Sequence, residues 1–269
     1  MRIFNKLNKI AVLLIVFIIY ISTNNLVLFA ENSKSNIDYQ ALFKEANNFY
    51  KSDNFIGALE KYEKIYNSGY KSSELLYNIG NTYYRLGNYP KAILFYERTK
   101  KLTPNDNDLN INLNLANAKI VDKIQVIEPF FIYSWAKNIR DVFSSNTWAL
   151  LFIIFLFIVC GVYTLRLYSQ VPSRRRKILS ASGVVSILLC IFSLTIGVLR
   201  LKAENSNANA IIMQSTIDIK LSNDPASEIA FTLHEGTKVQ ILEFQESNYK
   251  IKIADGRQGW LPTNMVEVI

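Results

Sequence analysis

The chain has 269 residues, half of them hydrophobic, a formal net charge of +8 at neutral pH and two cysteines. Residues 31 to 145 carry 15 basic and 13 acidic side chains, residues 200 to 269 carry seven and nine, and residues 166 to 177 carry five basic side chains and no acidic one. A positive excess confined to the flanks of apolar runs argues against a nucleic-acid-binding protein and for membrane topology, because clustered Lys and Arg beside a span stay in the cytoplasm.

The first apolar run, IAVLLIVFIIYI at 10 to 21, comes after Arg2, Lys6 and Lys9, which is the layout of a secretory signal. Cleavage after Ala30 and retention of residues 1 to 30 as an anchor both fit, and either would export the segment that begins at residue 31.

Residues 39 to 104 repeat. Shifted by 34 positions, Ala46 falls on Gly80, Phe49 on Tyr83, Phe55 on Tyr89, Ala58 on Ala92 and Tyr62 on Tyr96. Within each copy the apolar residues recur three or four apart in two runs divided by a polar turn, which predicts two helix hairpins. Ala46, Ala58, Gly80 and Ala92 are small where helices would cross, since larger side chains would hold the helices apart. These positions, with Pro104 closing the second copy, resemble the tetratricopeptide repeat family. Leu109, Leu113, Ala116 and Ile120 then share one face of an expected capping helix, which completes a repeat domain over 39 to 124.

The tetratricopeptide resemblance implies that the first helix of each unit lines a concave groove. The matching positions are Phe43, Asn47, Tyr50 and Lys51 in copy one and Tyr77, Asn81, Tyr84 and Arg85 in copy two. Asparagines at 47 and 81 could bond both the N–H and the C=O of an extended partner peptide, with aromatic rings beside them. The alternative is that all eight are ordinary solvated residues.

Over 129 to 143, Phe131, Trp135, Ile139 and Val142 share a face, which fits a helix lying in a membrane interface or, alternatively, one packed on the repeats. Transmembrane helices are expected at 146 to 167 and 178 to 199, with Ser144 or Ser145 capping the first and Cys160 and Cys190 packing near their middles. The basic loop between them, 168 to 177, contains Arg174, Arg175, Arg176 and Lys177, and Arg166 precedes it. These five cations would hold the loop in the cytoplasm and place both soluble regions on the far side.

Residues 200 to 209 read as a polar linker, and 210 to 269 as five or so short strands suited to a small barrel. HEGTKVQIL and ADGRQGWLP resemble the bacterial SH3-like family, although Lys220, Leu221 and Ser222 and also Tyr249 depart from its pattern. Trp260 is expected to fill the barrel. His234, the single histidine, reads as a solvated turn residue, and no spacing suits a metal, a cofactor or a phosphate loop, so catalysis is not expected.

The expected fold is therefore multidomain: α-helical tetratricopeptide hairpins, two transmembrane helices and a small all-β SH3-like barrel. In this order the parts resemble the Bacteroides aerotolerance E (BatE) group of membrane proteins. That resemblance implies a periplasmic adaptor in tolerance of oxygen or envelope stress, assembled with von Willebrand A-domain membrane proteins and MoxR-type ATPases. The rival expectation is a sensor whose SH3-like tail binds peptidoglycan.

Overall fold

The computed structural model describes residues 38–124, 130–168, 172–206 and 208–269, so the expected signal or anchor at 1 to 30 lies outside the described residues. So do parts of three expected segments: the start of the interfacial helix, three residues of the basic loop and one of the linker.

The repeats form five helices: α1 (Tyr39–Lys51), α2 (Phe55–Asn67), α3 (Ser73–Arg85), α4 (Tyr89–Leu102) and α5 (Asn107–Asn117). Each starts at a side chain that accepts a backbone N–H three residues on: Asp38, Asn54, Ser72, Asn88 and Asp106. Asp38, Ser72 and Asp106 stand 34 apart, as do Asn54 and Asn88, so the period is written in the caps as well as in the core. The hairpin loops carry it too, because Asp53 (φ 59°) and Gly87 (φ 78°) take the same left-handed turn one unit apart.

Tyr62, Ile65, Leu75, Ile79, Ile93, Leu94 and Tyr96 are buried between these helices, and Ala46, Ala58 and Ala92 are fully enclosed. Gly80 has no room for a side chain, since a Cβ there would lie 2.7 Å from two ring carbons of Tyr96. In α5, Leu109, Leu113 and Ala116 are buried as expected of a cap. α5 lies one period beyond α3, making it the first helix of a third unit, and no second helix of that unit pairs with it among the described residues. The carboxy-terminal sheet covers part of this end instead, with Ile211 and Ile269 joining the core of the repeats.

α6 (Phe131–Asp141) buries no residue, and Phe131 and Trp135 are 70 and 65% exposed. The apolar face is thus not spent on packing against the repeats. α7 (Ser145–Tyr168) begins after Ser144, whose hydroxyl accepts from the N–H of Thr147. It pairs with α8 (Ser173–Glu204), and both helices are long and apolar enough to cross a membrane. Cys190 is buried while Cys160 is exposed.

Two expectations are corrected by α8. Arg174, Arg175, Arg176 and Lys177 occupy its first turns rather than a loop, since an Arg–Lys run has good helix propensity and Pro172 precedes it. The helix also continues to Glu204, so residues 200 to 204 are not a linker. Arg200 ties that last turn down: its guanidinium donates to Asp141 and to the main-chain oxygen of Lys101.

The rest of the chain is seven strands: β1 (Asn209–Ile212), β2 (Thr216–Lys220), β3 (Ile229–His234), β4 (Lys238–Gln245), β5 (Asn248–Lys252), β6 (Gln258–Pro262) and β7 (Val266–Val268). They pair antiparallel in the order β3-β2-β6-β5-β4-β1-β7. The ladder ends at β3 and β7, so the expected barrel is an antiparallel sheet that is not closed. It is nevertheless curled. β3 and β4 stand four places apart in the ladder, about 19 Å in a flat sheet. Yet a three-residue turn joins them, with Thr237 N–H bonded to His234 O. The concave face holds Ala210, Ile212, Ile219, Leu233, Val239, Ile251 and Leu261.

Candidate partner-binding site

A cleft of 180 Å³ opens on the repeats, lined by Tyr50, Asn81, Tyr84, Arg85, Tyr96, Asn112 and Leu115. α1, α3 and α5 are the first helices of three successive units, so residues one period apart come to a common surface. Four of the eight groove positions expected from sequence meet here: Tyr50, Asn81, Tyr84 and Arg85. Tyr50 packs edge-on against Phe55 at 5.3 Å, and Tyr84 against Tyr89 at 5.6 Å, which fixes both rings at the rim. Arg85 lies 4.3 Å above the Phe55 ring and 3.0 Å from Asp53, so its charge is partly answered already.

The other four do not line the cleft. Phe43 packs on Tyr62, Tyr77 packs on Tyr96, and Lys51 is exposed on the last turn of α1. The side-chain oxygens of Asn47 and Asn81 are not free for a partner. Asn47 Oδ1 accepts from the Tyr62 hydroxyl at 2.5 Å and Asn81 Oδ1 from the Tyr96 hydroxyl at 2.8 Å. Burial pushes the Tyr62 hydroxyl up to about 12, and raises those of Tyr96 and Tyr77 above the usual tyrosine range. These hydroxyls stay protonated donors at any physiological pH.

Asn112 donates to Asn81 Oδ1 at 3.1 Å and to the Tyr77 hydroxyl at 2.7 Å, and one unit earlier Asn78 approaches Asn47 at 3.4 Å. Asn47, Asn81, Asn78 and Asn112 thus form a ladder across the three first helices. The sequence reading missed Tyr96, Asn112 and Leu115 as lining residues. The signal was the same 34-residue shift taken once more, because it carries Asn78 onto Asn112.

A second cleft, of 150 Å³, lies on the convex face of the sheet between Asp218, Lys220, Asn223, Pro225, Asn248 and Trp260. Trp260 is half-buried here and lies outside the concave core, correcting its expected role as barrel filler. In β6 alternate residues face opposite sides, so buried Gly259 and Leu261 point inward and Trp260 points out. Gly259 is needed because a Cβ would sit 2.5 Å from Ile219 and 2.7 Å from the Lys220 oxygen. The tryptophan stands opposite Lys220 on β2 and Lys250 on β5.

The repeats and the sheet are joined directly. Asp122, after α5, accepts from the His234 N–H and the Thr237 hydroxyl and lies 2.8 Å from His234 Nδ1. Burial would raise its carboxyl, but these hydrogen bonds outweigh that and hold it below the usual aspartate range. His234 is therefore a junction residue and not a solvated turn. Glu267 of β7 pairs with Lys91 at 2.5 Å and Arg98 at 3.2 Å of α4, and Lys238 of β4 pairs with Glu97 at 2.7 Å.

Stacked helix hairpins with a cleft across successive first helices define a helical repeat protein, the class whose shared surfaces bind other proteins. Residues 73–106 match the tetratricopeptide repeat family, which covers α3, α4 and the turn after it. No curated protein matches the chain.

Proposed function

We propose that the chain is a membrane-anchored scaffold that gathers protein partners on the extracytoplasmic side. α7 and α8 cross the membrane as a hairpin, with Arg166 and the cluster Arg174 to Lys177 in the cytoplasm and the repeats and sheet together outside. The observation that carries the proposal is the aromatic and amide cleft on a tetratricopeptide array, held at the end of two apolar helices. Tyr50 and Tyr84 flank an extended partner segment, and the amide hydrogens of Asn81, which its own hydrogen bonds to Tyr96 and Asn112 do not use, meet the segment's backbone. The scaffold has no catalytic step of its own, and the histidine serves the junction.

The order of parts supports membership of the BatE-like proteins, and with it a place in oxygen or envelope stress tolerance beside von Willebrand A-domain membrane proteins. Affinity purification of the full chain from detergent-solubilised membranes tests this. The parent should recover such a partner and the Tyr50→Ala, Tyr84→Ala variant should lose it while staying folded. Equal recovery by both would refute the cleft as the binding surface.

One observation favours a second reading for the tail. Trp260 is presented in a cleft with Lys220, Asp218 and Asn248 rather than consumed by the core, as a ligand-binding SH3-like fold would require. If the tail grips peptidoglycan, purified sacculi should retain the parent and release Trp260→Ala.

A further inference from the structure

A third cleft, of 180 Å³, opens where α4, α6, the last turn of α8 and the sheet meet. Six cations line it: Lys100 and Lys101 of α4, Lys137 and Arg140 of α6, Arg200 of α8, and Lys238 of β4. The carboxylates do not balance them. Asp141 is shared by Arg140 at 2.7 Å and Arg200 at 3.2 Å, Glu204 also faces Arg200, and Glu97 is taken by Lys238. Lys100 and Lys137 have no carboxylate partner among the described residues.

Two of the cations are held in surroundings that disfavour unpaired charge. Burial holds the Lys100 ammonium below the usual lysine range, with Lys238 and Lys137 adding to the effect against the pull of Glu97. Lys101 is lowered by burial, then by Arg98 and Lys238, and it spends hydrogen bonds on the main-chain oxygens of Ser206 and Ile269. Arg200, with only 4% of its side chain exposed, lines the same cleft. Its Nε lies 3.0 Å from Glu204 Oε1, but at an angle that makes no hydrogen bond.

The cleft also lies at the end of the apolar stretch of α8. Arg200 is the first charge after that stretch, and α6, which carries the exposed Phe131 and Trp135, contributes Lys137 and Arg140 to the cleft. We propose that this cleft binds the phosphate of an anionic phospholipid headgroup, the lipid's acyl chains lying along the apolar helices. The proposal rests on α7 and α8 crossing a membrane. A phosphate diester brings one negative charge and several acceptor oxygens to Lys100 and Lys137, the two ammonium groups that lack a carboxylate partner. Basic pockets at the mouth of membrane helices recognise headgroups by this complementarity. Bound lipid would then lock the repeats, the sheet and the membrane hairpin into one body.

The test uses the full chain, delipidated in neutral detergent, with the melting midpoint read against added phosphatidylglycerol, phosphatidylcholine or inorganic phosphate. Phosphatidylglycerol alone should raise the midpoint. The Lys100→Gln, Lys137→Gln variant should melt no lower than the parent without lipid and bind phosphatidylglycerol about 30-fold more weakly, about five-fold per cation. Lys137→Gln alone, at an exposed position, should show about the five-fold loss. Lys44→Gln with Lys64→Gln, exposed lysines remote from the cleft, should show none. Undiminished binding by the double variant, or an equal shift with phosphatidylcholine, overturns the proposal. An equal shift with inorganic phosphate also overturns it, in favour of a soluble anion. Alkaline extraction of cell membranes tests the membrane reading separately, because release of the parent would refute the span even where the lysines still bind phosphate.

Discussion

Gly80→Ala would show how tightly the repeat is built. The new methyl would fall 2.7 Å from Cδ1 and Cε1 of Tyr96, inside van der Waals contact. A flexible neighbour could yield, but this ring is fully buried, packs on Tyr77 at 6.0 Å and has its hydroxyl fixed by Asn81 at 2.8 Å. Overpacking of this kind costs about 1 to 3 kcal/mol, whereas replacing glycine by alanine inside a helix gains about 1 kcal/mol. The net expectation is a loss of about 1 kcal/mol for alanine and about 3 kcal/mol or more for Gly80→Leu, which cannot fit without parting α3 from α4. Gly161→Ala is the matched control, since a Cβ there meets nothing within 4 Å and only the helix gain remains. Thermal unfolding of the full chain in detergent, followed by near-ultraviolet circular dichroism, should rank Gly161→Ala at or above the parent, then Gly80→Ala, then Gly80→Leu. A Gly80→Ala protein that melts with or above the parent would refute the close crossing.

Asn81→Ala should lower stability by about 1 to 3 kcal/mol, because it leaves the buried Tyr96 hydroxyl without an acceptor, and a denaturant titration would read it. A change within about 0.5 kcal/mol would show the amide to be an ordinary exposed group. Trp260→Ala should leave cooperative unfolding intact, with a loss well under the about 3 to 5 kcal/mol of a buried tryptophan. A sheet that no longer unfolds cooperatively would return Trp260 to the core. The junction should be acid-sensitive: with its folded pKa depressed, Asp122 contributes stability that is complete above the ordinary aspartate value and fades as pH falls through the folded one. The stability gap between the parent and Asp122→Asn should thus be widest near neutrality and close in acid. A gap that widens as pH falls would contradict the assignment.

The repeat was legible because its signal is local. Caps, small crossing residues and aromatic rings recur every 34 positions, and each recurrence has a steric or hydrogen-bonding cause that acts within one hairpin. Asn47 and Asn81 show the limit of that reading: they do repeat on one surface, but whether their oxygens face solvent depends on Tyr62 and Tyr96, which only the folded crossing brings near. Trp260 was misjudged for a related reason. Its neighbours Gly259 and Leu261 take the inward side of β6, and the side a residue takes is set by register with β2 and β5 and not by its size. The junctions were not legible. Asp122 with His234, Lys91 and Arg98 with Glu267, and Arg200 with Asp141 join residues 59 to 176 positions apart, and no periodicity carries such pairs.

The central claim is that the cleft on the repeats receives a protein partner outside the cytoplasm. A photo-cross-linking amino acid installed in intact cells in place of Tyr84, at the cleft, or of Ile56, exposed on α2 away from it, tests that claim in place. The account predicts a discrete adduct with a membrane-associated protein from position 84 and none from position 56. Equal adducts from both positions, or no adduct from position 84, would contradict it.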